Sequence, residues 1–482
     1  MSGRQLFRKR LALVIGAVVL PAGALSAQAV TPPTAGPLRP YIFPAVEEFQ
    51  LANGLRVILV QKHTVPVVEG RLILDAGSMR EPAAKNGLAS LTGALLSEGT
   101  GTLTGADIAR SMDGLGARYF TTADFNAAYA DVVALKTVFP QALSLSARTV
   151  TAPSFPVGEV SRVKNQALAG YQQIHARTAG LASDAFVRAA FESTAPFSRP
   201  ASGTPSTIGS LTRDDVMNWH RTMFAPSAAT LLLVGDLSPA EARSIAQQAY
   251  GNWTAARTGL TPVENPIRAS HGTRVILIDR PGSVQSSMII GQPGFRATDP
   301  DYLHMVALNR VLGGGFSSRV NLNLREKHGY TYGAGSVLDL RPGSGAFRIS
   351  SDVRTNATDS ALAEVVSEYR RITSEPVPAP ELQAAVNNLV SAFPNGVQTV
   401  QGLAGRIQQL IVWGLPVDFY ATYRERLAAV TPEDVRTAAA RRLTPDNLIV
   451  VVAGDLSKIE APIRARNLGT VEVWDPNGKK IR

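Results

Sequence analysis

Arg325 and Tyr332 stand seven residues apart in Leu324-Arg325-Glu326-Lys327-His328-Gly329-Tyr330-Thr331-Tyr332, where a helix ending near Gly329 is expected to pass directly into a strand. A guanidinium presents a rigid fork of donors and a phenol one directed hydroxyl, so together they could grip a peptide carbonyl or a carboxylate. The competing reading salt-links Arg325 to an acidic neighbour and packs Tyr332 in a sheet. Upstream, Gly313-Gly314-Gly315 precedes Phe316-Ser317-Ser318-Arg319 between two helical stretches. The segment has neither the Lys-Ser/Thr end of a phosphate-binding P-loop nor the spaced glycines of a dinucleotide fingerprint. It reads as a flexible or tightly turned loop, in which glycine permits positive φ and close approach of another backbone.

Other chemistries find little support. The six histidines, His63, His175, His220, His271, His304 and His328, are nowhere within four residues of one another, so no helix offers two imidazoles on one face to a metal. Asp and Glu are spread as on a solvated surface, and Gly235-Asp236 and Gly454-Asp455 read as strand-end turns serving local backbone groups. With Cys 0, neither a disulfide nor a thiolate nucleophile or ligand is available. The formal charge of +10 is not gathered into basic stretches interleaved with aromatics, which argues against nucleic acid as a partner.

The elements that must position these residues begin after an export signal. Arg4, Arg8, Lys9 and Arg10 precede an apolar run from Leu11 to Leu20, then Pro21 and Ala27-Gln28-Ala29, the order of a cleavable signal peptide over 1–29. An uncleaved anchor is the alternative, because Leu11 to Ala29 is 19 residues without a charge. A proline-rich leader follows over 30–42. The stretches 49–60 and 67–74 read as two strands of an antiparallel sheet, with helices at Leu88 to Leu95, 105–115, 134–149, 157–175 and 181–194. Self-similarity is the strongest organisational signal. Asn53-Gly54-Leu55-Arg56-Val57-Ile58-Leu59-Val60 returns as His271-Gly272-Thr273-Arg274-Val275-Ile276-Leu277-Ile278 at an offset of 218. Leu211 to Val216 and Leu233 to Leu237 return at Val430 to Val435 and Val452 to Leu456, both at 219. The expected fold is α+β: two similar lobes of about 220 residues, 43–253 and 271–480, each with antiparallel or mixed sheets flanked by helices. A hinge-like linker over 254–270 would set them facing each other as a clam-shell half-chamber.

With these features in place the chain resembles the pitrilysin/insulinase superfamily of inverzincin peptidases, most of all the mitochondrial processing peptidase subunits and the non-catalytic subunit of bacterial heterodimeric members. The resemblance rests on Leu51-Ala52-Asn53-Gly54-Leu55, Asp75-Ala76-Gly77-Ser78, Gly87-Leu88-Ala89, Glu98-Gly99-Thr100, Ser202-Gly203-Thr204, both Gly-Asp strand ends and the Leu-Arg-Glu-x-x-Gly-x-x-Tyr segment. Peptide-cleaving members carry His-x-x-Glu-His in the helix between Gly87 and Gly99, the histidines binding zinc and the Glu acting as base. Ser90, Gly93 and Ala94 occupy those places here, and Gly170 the place of a distal Glu ligand. None of the four can bind zinc tightly or take a proton from water near neutral pH. The resemblance gives Arg325 and Tyr332 the place of a pair that holds the substrate backbone across the chamber from the zinc, with Gly313, Gly314, Gly315, Phe316 and Ser317 as loop contacts. His328 and Tyr330 are assigned to packing.

The resemblance thus implies a periplasmic, substrate-binding subunit with no catalytic residue, metal or cofactor of its own, inactive alone. Zinc would be held by a His-x-x-Glu-His partner of the same superfamily, and no stable membrane span would remain after signal cleavage. Two other readings stand beside it: a structural or chaperone-like peptide-binding scaffold, and a self-sufficient peptidase with an unusual site.

Overall fold

The computed structural model describes residues 41–257 and 262–482, so the expected signal peptide, most of the leader and part of the linker lie outside the described residues. Twelve strands make two six-stranded sheets. The first holds β1 (Val46–Gln50), β2 (Arg56–Gln61), β3 (Val67–Leu74), β4 (Arg118–Ala123), β5 (Ala128–Leu135) and β6 (Ala229–Gly235). The second holds β7 (Arg274–Asp279), β8 (Gln285–Phe295), β9 (Thr331–Asp339), β10 (Gly345–Arg354), β11 (Ile449–Gly454) and β12 (Thr470–Trp474).

Five strands of each sheet share one order, β4-β5-β3-β6-β2 in the first and β9-β10-β8-β11-β7 in the second. The register repeats too: Arg56 lies opposite Thr230 in the parallel pair β2/β6, and Arg274 opposite Ile449 in β7/β11. The later strand of each pair follows a helix opened by the same capping box, Thr212 with Asp215 and Thr431 with Asp434. Only the outer strand differs. β1, from the start of the folded chain, runs antiparallel to β2, whereas β12, from its end, runs parallel to β7.

The two-lobed mixed α/β fold is therefore as expected, with corrections in detail. β2 and β3 are not partners, because β6 lies between them, parallel to one and antiparallel to the other. Residues 128–135, partly assigned to a helix, form β5, and the helix starts at Phe139. The helix expected at 181–194 is Thr178–Ala190.

The lobes are not two bodies on a hinge. Tyr41–Arg482 is one compact unit, because each half lends a helix to the other's sheet. Along β2, Val57 and Leu59 enter their own lobe's core. Ile58 and Val60 point the other way, against Leu403, Ile407 and Leu410 of helix Val400–Trp413. Along β7, Val275 and Leu277 face their own core, and Ile276 and Ile278 meet Leu181, Ala185 and Phe186 of helix Thr178–Ala190. A strand with both faces covered has no place for polar alternation, which explains the unbroken apolar tetrads in the sequence. The linker is a strap: Asn265 is buried, accepts from Phe197 N at 3.1 Å and donates to Pro342 O at 2.7 Å.

Candidate functional site

Helix Tyr302–Leu312 leads through the glycine triplet into Arg319–Asn321, which continues as one wide π turn over Leu322–Lys327 carrying Arg325. Such widened turns splay side chains that a regular α-helix would stack, and they recur at functional sites. A bidentate ion pair from Arg319 to Glu381, at 2.8 and 2.7 Å, anchors the start. Gly329, at φ 61°, ends the segment in the left-handed conformation and hands it to β9.

The Tyr332 segment is shaped by a bulge. Thr331 pairs with Val353 but Ala334 with Ser351, so one extra residue is accommodated at Tyr332-Gly333. The Thr331 hydroxyl donates to Asp352 O at 2.6 Å and accepts from Gly333 N at 3.0 Å, while Ser351 Oγ donates to Gly333 O at 3.0 Å. A bulge turns a side chain out of the pleat, and Tyr332 is 92% exposed. The Arg325 guanidinium lies 4.6 Å from the centre of the Phe316 ring, itself 64% exposed, and its Nε is 3.5 Å from Glu326. Stacking fixes the plane of the fork and leaves its edge available. No hydrogen bond joins Arg325 to Tyr332 among the described residues. His328 and Tyr330 stack on each other at 4.9 Å.

The glycine triplet acts through space rather than through φ, which corrects half of the expectation: none of the three has positive φ. A Cβ on Gly313 would fall 2.5 Å from Ser336 N, and Ser336 N donates to Gly313 O at 3.0 Å, so the loop is pinned to β9. Asn321 ties the same elements together by donating to Phe316 O at 2.6 Å and accepting from Ala334 N at 3.1 Å. Asn321, Thr331 and Ser351 carried no signal in the sequence beyond the Thr-x-Gly spacing around Tyr332.

Ser90, Gly93 and Ala94 lie on helix Leu88–Leu95, and Gly170 on Val157–His175, which packs beside it. A Cβ on Gly93 would stand 2.5 Å from Ala123 N and from Thr122 C, so β4 occupies the space a side chain at 93 needs. At Gly170 a Cβ meets nothing within 4 Å, so a side chain there has room. Neither these residues nor their surroundings fit zinc. Among the described residues no three or more His, Cys, Asp or Glu side chains gather as a metal site.

The helix's N-terminus holds a residue the sequence reading missed. Glu81, buried at 4% exposure, accepts from Gly87 N, Ala89 N and Asn86 Nδ2 at 2.8 to 2.9 Å and so caps the helix. Burial raises its carboxyl to about 7 despite those bonds. On the outer face of the first sheet Arg71 bridges Glu69 at 2.7 Å and Asp131 at 3.0 Å and reaches Gln408 of the lent helix. Burial pushes Glu69 up to about 6 and Asp131 upward. This cluster borders a cavity of about 680 Å³ beside β4.

Comparison with known proteins bears on this arrangement. The description "Insulinase (Peptidase family M16)" matches residues 56–202, and "Peptidase M16 inactive domain" matches 210–389. An uncharacterized zinc protease of Streptomyces coelicolor is 26% identical over 82% of this chain and 86% of its own length. One of Bacillus subtilis is 23% identical over 67% and 77%. The crystal structure of a peptidase M16 inactive domain from Pseudomonas fluorescens superposes with TM-score 0.80 at 29% identity, covering 85% of this chain and 98% of that one. A protease from Helicobacter pylori shares the fold with TM-score 0.80 at 18% identity over 85% of this chain and all of that one. With two adjoining family descriptions spanning most of its folded part and the strand order of both lobes in place, the chain belongs to peptidase family M16.

Proposed function

We propose that this chain is a periplasmic, non-catalytic subunit that binds peptide for a zinc peptidase of its own family, with zinc and general base supplied by a His-x-x-Glu-His partner. The observation that carries the reading is an asymmetry. At position 93, where the base would stand, β4 backbone fills the place of a side chain, while across the molecule a bulge and a ring stack present Tyr332 and Arg325 outward. Core packing does not require an exposed Tyr on a bulge; binding does.

In this reading the Arg325 fork, held flat on Phe316, donates to a substrate backbone carbonyl, and the Tyr332 hydroxyl steadies the same oxygen as charge develops on it. Each contact is worth about 1–3 kcal/mol, so losing one slows cleavage by the assembled pair roughly 5- to 150-fold. The test compares kcat/KM of wild type, Arg325→Ala and Tyr332→Phe, each mixed with the partner at equal complex concentration, with the chain alone expected to be inactive. Unchanged kcat/KM in both variants, with assembly intact, removes the pair from the mechanism. The scaffold reading requires a pair shut away from substrate, and the exposure of Tyr332 weighs against it. The periplasmic address rests on the basic, apolar and Ala-x-Ala order of the first 29 residues. An N-terminus at Val30 in the native protein supports it, and a retained Met1 removes it.

A further inference from the structure

Where the two lobes meet, five separate pieces of chain bring cations to one cavity of about 450 Å³. Arg188 comes from the last turn of helix Thr178–Ala190, Arg199 from the loop after it, Arg268 from the linker, Arg274 from β7 and Lys480 from the C-terminal tail. Glu472 beside them is committed: it accepts from Arg274 at 2.9 and 3.3 Å and from Trp474 Nε1 at 3.0 Å, with Lys480 at 3.8 Å. Every Asp and Glu of the sequence lies among the described residues, and none is within ion-pair distance of Arg188, Arg199 or Arg268. The charge Arg199 feels is that of Glu81, whose oxygens are taken by Asn86, Gly87 and Ala89. Arg199 otherwise reaches only the carbonyls of Ser193 and Ala195, at 3.5 Å, and the Nε groups of both Arg199 and Arg268 are buried without an acceptor.

The cavity is built, not a stretch of open surface. Gly478, at φ 83°, lets the C-terminal turn settle on Arg188, where a Cβ would stand 2.6 Å from Arg188 Cδ. Uncompensated cations held together by the fold repel one another, and buried N–H groups without acceptors cost free energy. Both costs are relieved by a ligand that brings several negative oxygens at once. A carboxylate satisfies one guanidinium fork, whereas a tetrahedral oxyanion of two or more charges can satisfy several in different planes.

We propose that this junction is a binding site for a multiply charged oxyanion of the phosphate class, free or as a lipid headgroup. The site is independent of Arg325 and Tyr332 and of the peptide-binding reading. The experiment titrates the purified chain calorimetrically with inorganic phosphate and pyrophosphate, against sodium chloride of matched ionic strength. A second arm uses phosphatidylcholine vesicles with and without phosphatidylglycerol. Saturable binding of the free anions, or of the phosphatidylglycerol vesicles alone, is expected and identifies the source. Arg199→Gln and Arg268→Gln should each weaken it about 10- to 100-fold. Arg268→Gln, freed of like charges, should melt no lower than wild type in anion-free buffer. Absence of binding in both arms, an equal response to chloride, undiminished binding in both variants, or binding of a glutamate-rich peptide with none of phosphate overturns the proposal.

Discussion

Helix Leu88–Leu95 against β4 and helix Tyr302–Leu312 against β9 are the corresponding places of the two lobes, and each relies on a glycine. Gly93 and Gly313 both put helix backbone where a Cβ would stand 2.5 Å from the strand. In the first lobe the contact falls inside the helix and β4 pairs in unbroken register, so no loop is thrown out there, and the opposite sheet face carries Glu69, Arg71 and Asp131 beside the cavity. In the second it falls at the helix end and β9 is bulged, so a loop, a stacked Arg and a free Tyr stand out. Equal topology thus supports a regular, charged end and a bulged, presenting one. The difference lies in where one glycine sits relative to its helix and in the bulge that turns Tyr332 out of β9.

The comparison can be broken most forcefully in the charged lobe. Arg71→Met leaves the buried Glu69 facing the half-buried Asp131 without a cation and is expected to cost about 3–5 kcal/mol by urea denaturation. A loss below about 1 kcal/mol would mean the cluster is solvated. Titration should separate the lobes next. A carboxyl raised above its unfolded value keeps a proton in the folded state that the unfolded chain has released. Stability contributed by Glu81 is therefore present below the ordinary glutamate pKa, about 4.3, and is lost as pH rises toward 7, on the order of 3 kcal/mol in all. Glu69 acts with the same sign up to about 6. Glu81→Gln should flatten this slope between about pH 4 and 7 in denaturation curves, and an unchanged slope would place the titration elsewhere.

Smaller effects sharpen the role of the glycines. Gly93→Ala and Gly313→Ala should each cost about 1–3 kcal/mol by overpacking. Only the second should also weaken peptide binding, because it shifts the loop that carries Phe316. A triple variant that installs His-x-x-Glu-His, Ser90→His with Gly93→Glu and Ala94→His, should give no stoichiometric zinc by metal analysis. Were it folded and zinc-bound, β4 would have yielded. Gly170→Glu, with open space around it, should change stability by less than about 0.5 kcal/mol.

Much of this was written in the chain as local chemistry. The duplicated tetrads at Arg56 and Arg274, the capping threonines Thr212 and Thr431 and the Arg325–Tyr332 spacing are matters of residue type and short-range order, so two lobes and one candidate pair could be read without coordinates. That Ser90, Gly93, Ala94 and Gly170 cannot hold zinc was equally plain from residue type. The tertiary structure decided what depends on contacts between distant segments. It put β6 between β2 and β3, exchanged helices between the lobes so that Ile58 and Ile276 found partners far along the chain, and turned the expected hinge into a strap. It also gathered Arg188, Arg199, Arg268, Arg274 and Lys480 from five places. A sequence pattern reports which face of a strand is apolar; which element covers that face is set by packing across the whole chain.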